Sequence, residues 1–232
     1  MTTYITVVLD RSGSMYSQLD DTIGGYNLFI EEQTGETYVT LITFSNTVTV
    51  DYKNINIKAV PKLTKETYKP RGGTALFDAI GMSIKNNDQL CDDNKDDSVN
   101  YKIVILTDGE ENSSKIYRTS NHINDLITDR KKQGWEFIFL AANQDAIRVG
   151  NGLGIPAEAA LNFSQSDSST GEAFKSAACA IKRSLTGETQ GIQFSQVERN
   201  ASMGIDDYII PHMEGPPKIV RQTNNQRDLT PL

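Results

Sequence analysis

The chain is poor in the residues that most often carry chemistry or covalent stability. It has two cysteines, two histidines and one tryptophan in 232 residues. Cys91 and Cys179 lie in no CxxC or Cys/His cluster, which argues against a zinc site. Two isolated thiols fit a reducing compartment better than a disulfide framework. His122 and His212 have no nucleophile nearby in the pattern, so a histidine-activated serine is a weak reading. Apolar runs are short, and none approaches the roughly 20 residues that span a bilayer. A GxxxxGK[ST] phosphate loop is missing. So is a basic excess: 23 Lys+Arg face 30 Asp+Glu, for a net charge of -7, which argues against generic nucleic-acid binding. The opening "MTTYITVVLD" has no basic region before its apolar run and reads as a strand rather than a leader. These absences lead us to expect a cytoplasmic protein with neither a membrane nor a nucleic acid as partner.

What is present suits a domain built on a buried sheet, with 38% hydrophobic and 23% charged residues. Residues 4–9, "YITVVL", are too continuously apolar for a one-sided strand and read as a central parallel one. Residues 17–33 carry a helical stripe of Leu19, Ile23, Tyr26, Phe29 and Ile30. Gly24-Gly25 interrupts that stripe, and close helix–sheet packing is the expected reason. A second buried strand spans 37–45. The two-residue link Asn46-Thr47 into 48–52 permits only an antiparallel neighbour, hence an edge strand. Residues 53–73 read as an irregular excursion and 74–87 as a helix opening at Thr74. Strand 101–107 follows, then a helix over 114–133 with Ile116, Ile123, Leu126 and Ile127 on its apolar side. Strand 135–142, a short strand "AALNFS" and a helix over 168–185 complete the pattern. Alternating strands and helices predict an α/β fold, doubly wound and Rossmann-like. Its sheet is mostly parallel and six-stranded, with one antiparallel edge strand and helices on both faces. The domain is expected over 1–190. Residues 191–232, rich in Pro, Gln and Asn, read as an extended or disordered tail.

Three segments carry oxygen donors at the positions such a fold brings together. Asp10, Ser12 and Ser14 follow the first strand, Thr74 stands where a helix begins, and Asp108 follows strand 101–107. Ligands of open α/β sheets sit beyond the carboxyl ends of the strands, where strand order reverses. Two carboxylates, three hydroxyls and water suit a hard divalent ion, with Mg²⁺ first and Mn²⁺ or Ca²⁺ as alternatives. Each segment also has a plainer reading. Asp10-Ser12-Ser14 could be a turn and a helix cap, Thr74 is a good N-cap, and "TDG" is an ordinary turn.

The set DxSxS, the GGT threonine and the TDG aspartate together resemble the metal-ion-dependent adhesion site of a von Willebrand factor A domain, over roughly residues 3–185. The stretch "FLAANQDA…GNGLGIPAEAALNFS" is similar to small stand-alone bacterial and phage members. The resemblance implies that Ser12 and Ser14 ligate directly. Thr74, Asp10 and Asp108 would act directly or through water, and a partner carboxylate would fill the sixth position. It further implies a non-enzymatic protein-binding module, with an AAA+ ATPase or a stress-response protein as the kind of partner.

Arg11, Lys69 and Arg71 flank the ligand-bearing loops and could form a basic rim that steers an acidic group, although charged residues are usually exposed without function. Glu110 and Glu111 are expected in solvent. The acidic run Asp92, Asp93, Asp96 and Asp97 lacks the EF-hand pattern and reads as a solvated loop. Trp135 is expected to be packing. One rival reading is a Mg²⁺-dependent phosphoryl-transfer enzyme. It requires an acid two residues after Asp10, where the chain has Ser12. The other is an assembly protein acting through its C-terminal tail.

Overall fold

The computed structural model describes residues 1–93, 99–142, 145–165 and 168–205. The sheet has six strands in the order β3-β2-β1-β4-β5-β6. These are β1 (Thr3–Asp10), β2 (Thr37–Phe44), β3 (Val48–Asn56), β4 (Asn100–Thr107), β5 (Glu136–Ala142) and β6 (Ala160–Phe163). All neighbours run parallel except β2 and β3. That exception is the hairpin expected from the short Asn46-Thr47 link. The four central strands are buried almost throughout, whereas β3 is largely exposed. Continuous apolar runs thus became strands covered on both faces, and the mixed one became an edge.

Helices α1 (Leu19–Glu31) and α5 (Ser169–Thr186) pack against each other, as do α2 (Leu76–Asp93) and α3 (Ser120–Lys132). Gly25 explains how close the first pair comes. A Cβ there would stand 2.8 Å from Gly171 Cα and 3.0 Å from a Phe174 ring carbon, while one at Gly24 would meet open space. The glycine therefore serves a helix–helix crossing, not the helix–sheet contact expected from the sequence.

Several boundaries differ from expectation: β3 runs on to Asn56 rather than ending at 52, and α2 starts at Leu76 rather than Thr74. Helix α3 begins at Ser120, capped by the Thr119 hydroxyl, rather than at 114. The backbone N–H groups of Lys115, Ile116 and Tyr117 instead donate to the Asp78 carboxylate at 2.8–3.0 Å. Ile116 therefore belongs to no helix and is exposed. Residues 191–205 do not simply trail away, and the rest of the expected tail, 206–232, lies outside the described residues. Ile192 and Phe194 are buried, and α6 (Gln196–Ser202) packs on β6 and, through the bidentate pair Arg183–Glu198, on α5. A short helix, α4 (Ala146–Gly152), precedes β6. Trp135 is buried and stacks on Tyr101, as packing residues do. The side chains of Asp92, Asp93, Asp96 and Asp97, together with His212, lie outside the described residues.

The glycine pair gives a direct test of this packing. Gly25→Ala should cost about 1–3 kcal/mol through overpacking. Gly24→Ala should stabilise by up to about 1 kcal/mol through helix propensity. Urea denaturation of the two variants measures both, and equal effects would contradict the close crossing.

Candidate functional site

Strands β1 and β4 pair in register as far as Leu9 and Leu106, which sets Asp10 beside Thr107 and brings Asp108 to the same end of the sheet. Strand order reverses here, with β2 and β3 built outward on one side of β1 and β4 on the other, so the crevice opens between β1 and β4. Asp10 is 0% exposed and held at every oxygen. Its Oδ1 accepts the Ser12 N–H at 2.7 Å, its Oδ2 accepts the Thr107 hydroxyl at 2.6 Å, and its carbonyl accepts the Tyr68 hydroxyl. Asp108 Oδ1 accepts the Ser14 hydroxyl at 2.6 Å, and its Oδ2 lies 3.4 Å from Gln18 Nε2. The Ser12 and Ser14 hydroxyls are 3.0 Å apart.

Thr74 joins this group from the other side. The Thr74 and Ser14 hydroxyl oxygens are the polar atoms nearest to where a Gly109 side chain would begin, at 3.2 and 3.8 Å. Thr74 was expected to cap α2 as well, but the helix starts two residues later. Its first N–H groups go elsewhere: Phe77 N–H to Glu111 Oε2 at 2.8 Å and Asp78 N–H to Ser114 Oγ at 3.0 Å. Glu111 is therefore a cap and not a solvent group, whereas Glu110 is exposed as expected. Asn112 fixes Thr74 by accepting its N–H at 2.9 Å and donating its own to the Thr74 carbonyl at 3.0 Å.

The three loops are bonded to one another. Gly13 N–H donates to the Gly72 carbonyl at 3.0 Å and Arg71 N–H to the Arg11 carbonyl at 2.9 Å. Gly72 has φ +75° and lies so close to Asn46 Oδ1 that any Cβ would overlap it at 2.0 Å. Only glycine suits that corner.

The two carboxylates have no basic side chain paired with them: among the described residues neither Asp10 nor Asp108 forms an ion pair. Burial pushes the Asp10 carboxyl up to about 6, against the lowering pull of its hydrogen bonds with Thr107 and Ser12. Burial also raises that of Asp108. No group of three or more His, Cys, Asp or Glu is gathered anywhere among the described residues. A metal here would depend on the serine and threonine hydroxyls, an all-oxygen set suited to a hard divalent ion.

The five residues picked from the sequence, Asp10, Ser12, Ser14, Thr74 and Asp108, thus converge on one crevice. The rim residues do so less fully. Arg11 is half-buried, with its guanidinium 3.5 Å from the Thr49 hydroxyl on β3, while Lys69 and Arg71 are exposed. Sequence reasoning missed Thr107, Tyr68, Gln18, Glu111 and Asn112. Thr107 could have been suspected from its place directly before the aspartate. Tyr68 sits in an aperiodic stretch that gives no signal. His122 is exposed on α3 with its ring against Tyr117.

A family model for the von Willebrand factor type A domain matches residues 5–177, and the chain belongs to this family. The fold is one commonly used for protein–protein interaction and adhesion, and its members often bind a divalent metal. Solved structures agree on the fold. The conserved hypothetical protein BatB from Bacteroides thetaiotaomicron superposes with a TM-score of 0.56 at 16% identity, covering 79% of this chain and 99% of that one. The vWF domain of the type V pili tip protein Mfa5 from Porphyromonas gingivalis gives 0.57 at 11%, covering 82% and 97%. Proximal thread matrix protein 1 from the mussel byssus, with a zinc-occupied MIDAS motif, gives 0.53 at 16%, covering 81% and 46%. The chain spans 42–48% of the length of the first four solved chains it resembles. Among curated proteins it has no match. No helix among the described residues is long and apolar enough to cross a membrane.

The raised Asp10 carboxyl makes a prediction about the metal-free protein. A group with a folded pKa above its unfolded value contributes stability below the unfolded value and loses it as pH rises through the folded one. In chelator, Asp10 should therefore remove stability between about pH 4 and pH 6, by about 3 kcal/mol in all. Asp10→Asn should abolish that component, so that it melts higher than the parent at neutral pH and differs less at pH 4. Thermal melts across pH with EDTA check this, and superimposable pH profiles would contradict it.

Proposed function

We propose that the chain is a divalent-metal-dependent protein-binding module, in which Asp10, Ser12, Ser14, Thr74 and Asp108 form a complete adhesion site for Mg²⁺. The observation that carries this reading is the buried pair Asp10 and Asp108, with no Lys or Arg partner among the described residues, facing three hydroxyls. Two carboxylates removed from water are costly unless an ion compensates them. The spacing of the hydroxyls is compatible with Mg²⁺. Oxygens at about 2.1 Å from an octahedral Mg²⁺ stand about 3 Å from one another, and the Ser12 and Ser14 hydroxyls are 3.0 Å apart. Mn²⁺ fits nearly as well.

Bound there, the ion would supply an electrophilic position open to a carboxylate. The protein supplies the rest. Asp10 is kept in one orientation by Thr107 and the Ser12 N–H, and Asp108 by Ser14 and Gln18. Thr74 is relieved of helix capping by Glu111 and Ser114. The partner would be a protein that presents an Asp or Glu side chain, and the resemblance to small stand-alone bacterial and phage family members implies an AAA+ ATPase or a stress-response protein. The same reading places the protein in a reducing, cytoplasmic setting, in keeping with the free thiols of Cys91 and Cys179. It also makes the protein a holder of its ligand and not an enzyme, since Ser12 stands where a phosphotransferase of this shape has its acid.

Mg²⁺ at 100 times its Kd should stabilise the fold by about 2.7 kcal/mol. The gain should shrink below about pH 6, as protons compete for Asp10. It should be largely lost in Ser12→Ala, while the fold itself survives EDTA. Partner capture from the source cell in Mg²⁺, eluted with EDTA, tests the function. Capture that persists in EDTA and in Ser12→Ala would overturn it. Mg²⁺-dependent turnover of a phosphate ester that disappears in Asp10→Asn would replace binding with phosphoryl transfer.

A further inference from the structure

We infer that the surface around the crevice selects a protein segment in which the captured carboxylate lies beside a large apolar side chain and among further acidic residues. This rests on the metal-dependent reading above and specifies its partner. Two observations, one apolar and one electrostatic, carry it.

After the terminal Met1, the most exposed large apolar side chains described are Tyr16 at 72% and Ile116 at 71%. Both lie on loops of the site. Tyr16 comes two residues after Ser14, and Ile116 lies in the segment that leads away from Asp108. Neither is exposed because its backbone is loose. Tyr16 follows the fully buried Met15 in a 3-10 turn, Gly13–Gln18, where the Ser17 hydroxyl closes on the Ser14 carbonyl at 3.1 Å. Ile116 sits in the turn whose three consecutive N–H groups are gathered by Asp78. Large apolar groups held out into water by fixed turns gain free energy when a partner covers them, with little ordering cost left to meet.

Charge is distributed unevenly around the same loops. Residues 11–17, 65–73 and 109–118 hold six Lys or Arg and three Glu, although the whole chain has 23 against 30. Of those glutamates, Glu111 is consumed in capping α2. Lys69, Arg71, Lys115 and Arg118 are exposed, and none of them forms an ion pair among the described residues. The backbone bonds between the 11–13, 71–74 and 112–113 segments make these loops one surface. A basic ring on an acidic protein attracts acidic partners and repels further copies of the chain.

The test uses two synthetic peptides of equal length, built from Asp, Glu, Gly and Ser. One carries Leu beside its central Asp, and the other carries Ser there. A single-stranded oligodeoxynucleotide of equal charge is the third probe. Titrated in Mg²⁺, the Leu peptide should bind about tenfold more tightly than the Ser peptide. The double variant Tyr16→Ser, Ile116→Ser should lose that preference while keeping the parent's Mg²⁺ affinity. Lys115→Glu with Arg118→Glu should weaken both peptides and flatten their salt dependence. Equal binding of the two peptides by the parent would overturn the inference. So would a preference that survives the double variant, or oligonucleotide binding as tight as that of the Leu peptide. Peptide binding that keeps its Leu preference in EDTA and in Ser12→Ala would sink the metal-dependent reading and leave this surface standing.

Discussion

Two buried carboxylates at the ends of neighbouring parallel strands set the terms for the rest of this structure. Asp10 and Asp108 are placed side by side by the register of β1 and β4 and are almost wholly removed from solvent. A protein core tolerates such a pair only if hydrogen bonds or a cation compensate it. Here the hydrogen bonds are abundant: Thr107, the Ser12 N–H, Ser14 and Gln18 all point at these oxygens. They still do not restore the ordinary acidity of Asp10, whose carboxyl stays raised at about 6. The site is organised and yet its carboxylates keep a raised proton affinity, which is the physical basis for the proposal that a cation completes it.

That organisation depends on rigidity elsewhere. If Thr74 capped α2, its hydroxyl would be occupied by helix N–H groups. Glu111 and Ser114 take over that task from the following loop, and Asn112 locks Thr74 by its backbone. Gly72, in a left-handed conformation pressed on Asn46, lets the 71–74 loop turn tightly enough to reach both neighbours. Loops tied by backbone hydrogen bonds present their side chains without further ordering, so a ligand meets a site already formed.

Much of this was legible in the sequence. Continuous β-branched runs announced central parallel strands, and the Asn46-Thr47 link announced the antiparallel edge. The donor residues stood at strand ends and at a helix start, the places where the fold gathers ligands. What escaped has a common cause. The start of α3, the cap on α2 and the role of Gly25 are all settled by residues distant in sequence. Residues 114–119 have helical periodicity, but Asp78 takes their N–H groups from another element and holds them as a turn. Glu111 reads as one more surface acid until α2 is brought to it. Gly25 is explained only by Gly171, on a helix almost the whole domain away. Local pattern identifies which segments can form elements, while tertiary hydrogen bonding decides where they stop.

The segment after residue 190 bears on where a partner can bind. Strand β6 is the outer strand on its side, and an open edge of that kind invites another chain to add a strand. The structure closes it with side chains from α6. Arg199 donates to the Ala160 carbonyl at 2.8 Å, and the Ser202 hydroxyl donates to that of Asn162 at 2.7 Å. Alternate carbonyls along the free edge are thereby taken. The opposite edge, β3, is broken by register shifts and by Asn54 in a positive-φ conformation, which spoils it as a flat template. With both edges guarded, strand addition is a poor route to association for this domain. That leaves the carboxyl-end loops around Asp10 and Asp108 as the surface through which the proposed recognition would act. The cover on β6 is thus made by two side chains of α6, Arg199 and Ser202, while Val197, Met203 and Ile205 of the same segment stay exposed.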